Sequence, residues 1–247
     1  FSTVSGFTMF NKYYVRSVNR GYLEDATVFP FIDIKGNFIT AQIIKYDNNG
    51  KRNKGKFSSN WLHAYKPIKQ DLKLKDTDKY SVPVKCFFGE HLLGGSGNPI
   101  AIVESQKTAI ILSQFFTNID FIATGGEQQI KSKDLNVLEG RNVILFPDAH
   151  TTLWSEFAKD NGFECSNILE NEKVKDGADV LDIILNECND IELSQSVYNL
   201  FSDINNEKYV WNYKTESLHF EQVQMETKYL PIFKNRIFGK DVVLSKV

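Results

Sequence analysis

The chain has 247 residues, a formal net charge of −2 and 42% hydrophobic residues. It lacks the run of about 20 apolar residues that a membrane span needs, so we expect a soluble, cytoplasmic protein. The balanced charge excludes a chain that is basic throughout. The 3 cysteines are widely spaced and form no Cys-x-x-Cys pair, which argues against a zinc ribbon or a disulfide framework. Because the sequence does not begin with methionine, we expect a trimmed chain or a fragment of a longer protein.

Residues 1–95 are predicted to form a β-rich N-terminal lobe. Val28–Ile34 and Phe38–Tyr46 are apolar runs rich in β-branched and aromatic residues, and Lys35-Gly36-Asn37 separates them. This pattern predicts a β-hairpin. Pro30 lies inside the first run and predicts an edge strand or a bulge there, because proline cannot donate to a ladder.

The same lobe contains the basic part of the chain, residues 45–75. A local excess of cations attracts a phosphate backbone, and aromatic side chains between the cations can stack on bases. The alternative is a solvated, lysine-rich loop. The residues that we select as candidates for nucleic-acid binding are Lys51, Arg52, Lys54, Lys56 and Trp61.

Residues 96–190 alternate between strand and helix patterns. Apolar runs at Ile100–Val103, Phe121–Ala123 and Val143–Phe146 predict strands, and apolar residues at helical spacing between Lys107 and Phe116 predict a helix. A second helix is expected between the second and third strands, after the Gly-Gly turn. The alternation predicts a parallel α/β sheet. We place the domain boundary near the glycine-rich run Gly94–Asn98.

Each of these strands ends in residues that can carry chemistry. Glu104 follows the first strand, Gly125 and Gly126 follow the second, and Asp148 follows the third. Ligands of parallel α/β sheets bind beyond the carboxyl ends of the strands. We therefore expect these four residues to lie at one edge of the sheet.

The alternation continues after Asp148. Trp154–Asn161 predicts a short amphipathic helix, Phe163–Leu169 another strand, and the apolar spacing after Gly177 a further helix. Asp176 lies near the start of that last helix and Asp179 lies in its first turn. These acids either cap the helix or join Glu104 and Asp148. Residues 191–247 are predicted to form a helix and a hairpin as a C-terminal extension.

The ordered set of motifs resembles the toprim domain, which occurs in bacterial primases, topoisomerases, nucleases and recombination proteins. Residues 102–110, IVESQKTAI, resemble the first toprim motif, and ATGG matches its glycines. FPDAH matches its Asp-x-Asp strand, and KDGADVLDIIL resembles the Lys-Asp-x-x-Asp element of primase-type members. The hairpin and the basic stretch resemble the subdomain that precedes toprim in primases. The resemblance spans about residues 25–190 and looks nearest to primase-like proteins of bacterial mobile elements and phages.

The resemblance implies a Rossmann-like parallel sheet preceded by a primase-like β-rich lobe, and a site that binds Mg²⁺ or Mn²⁺. The implied metal ligands are Glu104, Asp148, His150, Asp176 and Asp179. Lys107, at the start of the helix after Glu104, is expected to neutralise phosphate charge as a catalytic residue. The second aspartate of the Asp-x-Asp motif is His150 here, and imidazole suits Mn²⁺ better than Mg²⁺.

The implied function is metal-dependent nucleotidyl or phosphoryl transfer on nucleic acid during replication of a mobile element or phage. The expected partners are DNA, either single-stranded or primer–template, and nucleotides, with a helicase or another replication protein as a further candidate. Two alternatives stay open: a nucleic-acid-binding module without turnover, and a toprim nuclease.

Overall fold

The computed structural model describes residues 11–18, 23–47, 51–53, 59–64, 84–170, 174–184, 196–197, 200–201, 210–212, 217–219 and 224–226. Within these ranges, no helix is long and apolar enough to cross a membrane. The chain divides into two compact units. The first contains residues 1–30, 40–82 and 210–247, and the second contains residues 31–39 and 83–209.

The strands are β1 (Arg16–Ser17), β2 (Thr27–Ile32), β3 (Phe38–Ile44), β4 (Ser59–Trp61), β5 (Ile100–Val103), β6 (Asp120–Ala123), β7 (Val143–Phe146), β8 (Glu164–Cys165), β9 (Val210–Asn212), β10 (Ser217–His219) and β11 (Gln224–Glu226). The α-helices are α1 (Gln106–Phe115), α2 (Leu153–Asn161) and α3 (Val180–Ile184). Short 3-10 helices cover Leu62–Ala64, Glu90–Gly95, Glu127–Ser132 and Leu135–Leu138.

An antiparallel sheet with the order β1-β2-β3-β4 contains the predicted hairpin. A turn with Gly36 at φ 84° joins β2 to β3, and the Asp33 carboxylate accepts the amide hydrogens of Lys35 and Asn37 at 2.9 and 2.8 Å. Strand β1 pairs only with Thr27 and Val28. Pro30 therefore lies beyond the residues that β1 pairs, which explains why a proline is tolerated in β2.

The second unit is built on a parallel sheet with the order β6-β5-β7-β8, so the predicted α/β class is confirmed. Every residue of β5 and β7 is buried, as expected for central strands covered on both faces. On one face, Ile102 and Leu145 pack in a cluster with Trp154 of α2. Phe201 packs against the rings of Phe121 and Phe146, with centroids 5.5 and 4.7 Å away.

Two element predictions in this unit were wrong in extent. Only Glu164–Cys165 of the predicted strand 163–169 pairs with β7, and the chain leaves the sheet where the Ser166 amide bonds to the Leu145 carbonyl. Between β6 and β7 the helical turns are two short 3-10 helices. The Asp134 carboxylate caps the second of these by accepting the Asn136 amide hydrogen, which ends the preceding turn.

The glycine-rich run Gly94–Asn98, where we placed the domain boundary, is held firmly by one side chain. Arg141 donates to the carbonyls of Leu93 and Asn98 and to the Ser96 hydroxyl, and it pairs with Asp120 at 2.9 Å. The exposed fractions of the Arg141 and Asp120 side chains are only 16% and 9%. Removing one partner of a buried, hydrogen-bonded ion pair costs far more than removing one partner of a surface pair, because the other charge is left without compensation.

Replacing Arg141 by alanine is expected to lower the free energy of unfolding by about 2–4 kcal/mol, because the Asp120 carboxylate is left buried without its cation. Urea denaturation measures this change. Arg141→Lys should recover only part of the loss, since a lysine lacks the planar fork that reaches several acceptors. Equal stability of the alanine variant and the wild type would show that the run is not held by Arg141.

Candidate functional site

The parallel sheet brings Glu104 and Asp148 together at its carboxyl edge. Strands β5 and β7 are neighbours, with Val103 paired to Phe146, so the residues that follow them emerge side by side. A side-chain hydrogen bond joins the two carboxyl groups. One of the pair must therefore carry a proton in this arrangement, because two carboxylates offer only acceptors.

The Gly125-Gly126 turn holds Glu104 from the other side. The Gly125 amide hydrogen bonds to the Glu104 carbonyl at 3.0 Å, and the backbone amide of Glu127 donates to the Glu104 carboxyl group. Gly125 and Gly126 have φ angles of 86° and 147°, which side chains with a Cβ rarely adopt. The glycines predicted as a backbone turn thus occupy positions that need glycine.

Burial and like charge both disfavour ionisation of this pair. Burial raises the pKa of Asp148 to about 9, and the negative charge of Glu104 adds to that effect. Burial also raises the pKa of Glu104, assisted by the nearby charge of Glu127. Such a pair of carboxyls retains a proton at neutral pH unless a cation replaces it.

Asp179 lies close to this pair but its oxygens are already engaged. One carboxylate oxygen accepts the hydroxyl of Thr108 from α1, and the other accepts the amide hydrogen of Asp182 at 2.9 Å. The Asp182 carboxylate in turn accepts the Asp179 amide hydrogen at 3.2 Å. This reciprocal arrangement is a capping box at the start of α3, so Asp179 has the capping role that the sequence left open.

His150 and Asp176 lie in a second group, apart from the carboxyl pair. His150 adopts φ 64°, and its Nε2 lies 2.9 Å from the Val174 carbonyl and 3.7 Å from an Asp176 carboxylate oxygen. Its Nδ1 lies 3.5 Å from a Glu170 carboxylate oxygen. The structure therefore does not bring His150 and Asp176 together with Glu104 and Asp148.

Glu127 is a neighbour of the pair that the sequence analysis missed. It begins the 3-10 helix after the glycine turn, its carboxylate accepts the Thr151 hydroxyl, and its carbonyl accepts the indole N–H of Trp154 at 3.1 Å. The signal available in the sequence was its position directly after two glycines at a strand end. Lys107, predicted as a catalytic cation, is the second residue of α1 and is half-buried.

The candidate nucleic-acid-binding residues lie in the first unit as far as the structure describes them. Lys51 and Arg52 are exposed, next to the turn in which the Lys51 amide bonds to the Asp47 carboxylate at 2.9 Å. Trp61 is half-buried at the end of β4 and stacks on His63, with ring centroids 5.7 Å apart. Lys54 and Lys56 lie outside the described residues.

The carboxyl oxygens of Glu104 and Asp148 suit a hard divalent cation whose remaining ligands are waters or substrate phosphates. Among the described residues, no group of three or more His, Cys, Asp or Glu side chains converges to hold a metal ion. Glu104 and Asp148 supply oxygen donors from two residues. Mg²⁺ is commonly bound through one or two carboxylates together with waters and substrate phosphates, so the residues present fit that ion.

The molecule is thus an α/β protein with an acidic pair at the carboxyl edge of its parallel sheet. The chain belongs to the family described as a domain of unknown function, DUF6371, whose model matches residues 1–149. The match includes both Glu104 and Asp148. No curated protein matches the sequence.

Several solved primase structures are similar to this chain at low identity. The catalytic domain of DnaG primase bound to single-stranded DNA shares 13% identity with a TM-score of 0.36, and the match covers 63% of this chain and 44% of that one. The RNA polymerase domain of Mycobacterium tuberculosis DnaG shares 12% identity (TM-score 0.41, covering 79% and 62%). The bacteriophage T7 structure that includes gp4 primase domains shares 14% (TM-score 0.39, covering 77% and 95%). The chain spans less than half of the first of these, and similarity at this level assigns it no activity.

Replacing Asp148 by asparagine is expected to stabilise the metal-free protein at high pH. The folded pKa of Asp148 is raised, so its contribution to stability is full below its ordinary pKa of 3.8 and is lost as pH rises toward about 9. The amide cannot ionise, and thermal unfolding in EDTA at pH 8 should show a gain of about 1–3 kcal/mol relative to wild type. Asp160→Asn on the exposed surface is the control. A gain that is the same at pH 5 and pH 8 would contradict the prediction.

Proposed function

We propose that this chain binds a divalent metal ion through Glu104 and Asp148 and acts on nucleic acid by primase-like, metal-dependent nucleotidyl or phosphoryl transfer. The observation that carries the proposal is the hydrogen-bonded, half-buried carboxyl pair at the carboxyl ends of β5 and β7. A pair of acids placed in this way loses stability when ionised, and a cation offsets that loss. Neither the α/β fold nor the family assigns this activity by itself.

The chain's own residues supply three parts of such a site. Glu104 and Asp148 offer oxygen donors, which Mg²⁺ and Mn²⁺ accept. A bound cation would neutralise nucleotide phosphates and lower the pKa of an attacking hydroxyl. Lys107, in the first turn of α1, adds a positive charge one turn after Glu104, and the amino end of a helix favours anions.

The basic stretch of the first unit is the proposed contact for the nucleic-acid backbone. Lys51 and Arg52 are exposed and carry charges suited to phosphates. The half-buried indole of Trp61 lies on β4, which pairs with β3. Such contacts give affinity without reading sequence. The proposal therefore includes weak, salt-dependent binding to single-stranded DNA or primer–template. The setting that fits this activity is replication of a mobile element or phage.

One observation favours a second candidate, a nucleic-acid-binding module without turnover. His150 stands where the resembling enzymes have a second aspartate, and it contacts Val174 and Glu170 instead of the carboxyl pair. A two-metal site needs enough carboxylates to hold both ions. If the metal binds at a single site without turnover, this second candidate is the better description.

Calorimetric titration with Mg²⁺ and Mn²⁺ tests the metal site. We expect Glu104→Gln and Asp148→Asn each to weaken binding by at least about tenfold, since each variant removes one of two charged donors. The matched control is Asp176→Asn, because the Asp176 side chain is 95% exposed and lies beside His150. The control should bind as the wild type does. Equal binding by wild type and Glu104→Gln would rule out the site, and weak binding by Asp176→Asn would restore the larger ligand set.

Fluorescence anisotropy with a labelled single-stranded oligonucleotide tests the basic stretch. The Lys51→Ala, Arg52→Ala variant should bind more weakly, and its plot of log affinity against log salt should flatten by about 1.4, or about 0.7 for each phosphate that is no longer neutralised. Lys159→Ala, an exposed cation on α2, is the control. An unchanged slope in the double variant would show that these cations are only a solvated surface.

A further inference from the structure

Lys133 carries a buried amine that the proposed site does not use. Only 8% of the residue is exposed, and its Nζ donates to the carbonyls of Val84 and Cys86 at 3.0 and 2.9 Å. The same Nζ lies 5.1 Å from the Phe31 ring centroid and 5.7 Å from that of Phe87. An amine so placed contacts both the segment 84–88 and Phe31, at the start of the β2–β3 hairpin tip.

Glu90 completes the cluster with the opposite charge. It is 3% exposed, and its two carboxylate oxygens accept the amide hydrogens of Ile34 and Phe87 at 3.0 and 2.8 Å. One acid therefore fixes the hairpin tip and the segment 84–88 at the same time. Phe31 packs edge-on against Phe88, with ring centroids 5.8 Å apart, and so adds an apolar contact between the hairpin and segment 84–88.

The segment held by this cluster continues to the edge of the parallel sheet. Phe88 exchanges two backbone hydrogen bonds with Ala123, at 2.8 and 3.0 Å. Ala123 is the last residue of β6 and leads directly into Thr124 and the glycine turn beside Glu104. Loosening of segment 84–88 would therefore weaken the hydrogen bonds to Ala123, at the end of β6 next to the glycine turn.

We propose that Lys133 and Glu90 form a proton-sensitive lock, which holds the hairpin tip and segment 84–88 closed while Lys133 is uncharged and loosens when Lys133 takes up a proton. The proposal rests on neither metal binding nor nucleic-acid binding. It rests on the cluster of donors, rings and carboxylate that converges on one buried amine.

The direction in which closure changes with pH follows from the environment of the Lys133 amine. Burial lowers the pKa of Lys133 from 10.5 to about 7, so desolvation outweighs the opposing electrostatic effects of Cys86 and Glu90. When the lock opens, water reaches Lys133 and its pKa returns toward the ordinary value. Opening therefore takes up a proton, and closure strengthens as pH rises from about 7 toward 10.5.

The other titratable groups of the cluster have identified effects. Glu90 favours the charged lysine, and its own pKa is raised by burial, so its contribution to closure falls as pH rises and opposes that of Lys133. Burial raises the pKa of the Cys86 thiol to about 12, so it stays neutral. The negative charge of Asp33, at the hairpin tip, adds to the rise in the pKa of Glu90. The pKa of Asp33 itself is lowered, mainly by hydrogen bonds from Asn37 and to a smaller extent by the charge of Lys35.

Amide hydrogen exchange measured by NMR tests the lock in the full chain. Protection factors for Ile34, Phe87 and Phe88, corrected for intrinsic exchange, should rise about tenfold between pH 7 and pH 8.5 in the wild type. Amides of the central strand β5 serve as an internal reference. In Lys133→Met the rise should vanish. Lys131→Met should behave as the wild type, because Lys131 is exposed and lies in the 3-10 helix that Lys133 follows.

Glu90→Gln keeps the test decisive if Lys133→Met does not fold. Loss of the carboxylate removes the opposing contribution and lowers the pKa of Lys133 further, so protection should rise at least as steeply as in the wild type. A direct NMR titration of the Lys133 side chain should show its midpoint move to lower pH in this variant. Protection that is flat with pH in the wild type, or a rise that survives in Lys133→Met, overturns the proposal.

Discussion

Two like charges cannot be buried side by side without a compensating proton or cation. Glu104 and Asp148 meet this constraint at the ends of adjacent parallel strands, where their carboxyl groups share a hydrogen bond. The strands leave no freedom to separate them, because each pairs with its neighbour through its last residue. The surrounding structure, including the glycine turn and the Glu127 amide, holds an arrangement that is costly when ionised and that a cation would relieve.

The sequence predicted the sheet well because its signal is local and repeated. Short apolar runs in β5, β6 and β7, each followed by a polar or glycine residue, specify buried parallel strands with their ends at one edge. Pairing of Val103 with Phe146 then places Glu104 near Asp148 without further information. The capping role of Asp179 was also foreseeable as one of two options, since an acid at a helix start accepts backbone amides.

The rest of the site depended on contacts that sequence spacing does not encode. His150 is two residues after Asp148, yet its φ of 64° turns the chain and sends the ring to the Val174 carbonyl and Glu170. Those partners lie 20 to 24 residues further along the chain. The hydrogen bonds from Arg141 to the glycine-rich run Gly94–Asn98 and to the residue before it also join residues far apart in the sequence. For this reason a run whose composition suggested a flexible boundary is held in place within the second unit.

The acids of this unit separate into two kinds by how their oxygens are satisfied. Asp179 and Glu90 use both oxygens to accept hydroxyl or backbone donors, which makes them structural: they stabilise the start of α3 and the tip of the hairpin. Glu104 and Asp148 instead meet each other, and a carboxyl group supplies a donor to its neighbour only while it keeps its proton. A carboxyl pair that is removed from water without enough hydrogen-bond donors destabilises the fold when it ionises. The same pair is suited to binding a cation, which supplies the missing positive charge. The distinction singles out these two residues among several acids that the sequence pattern treats alike.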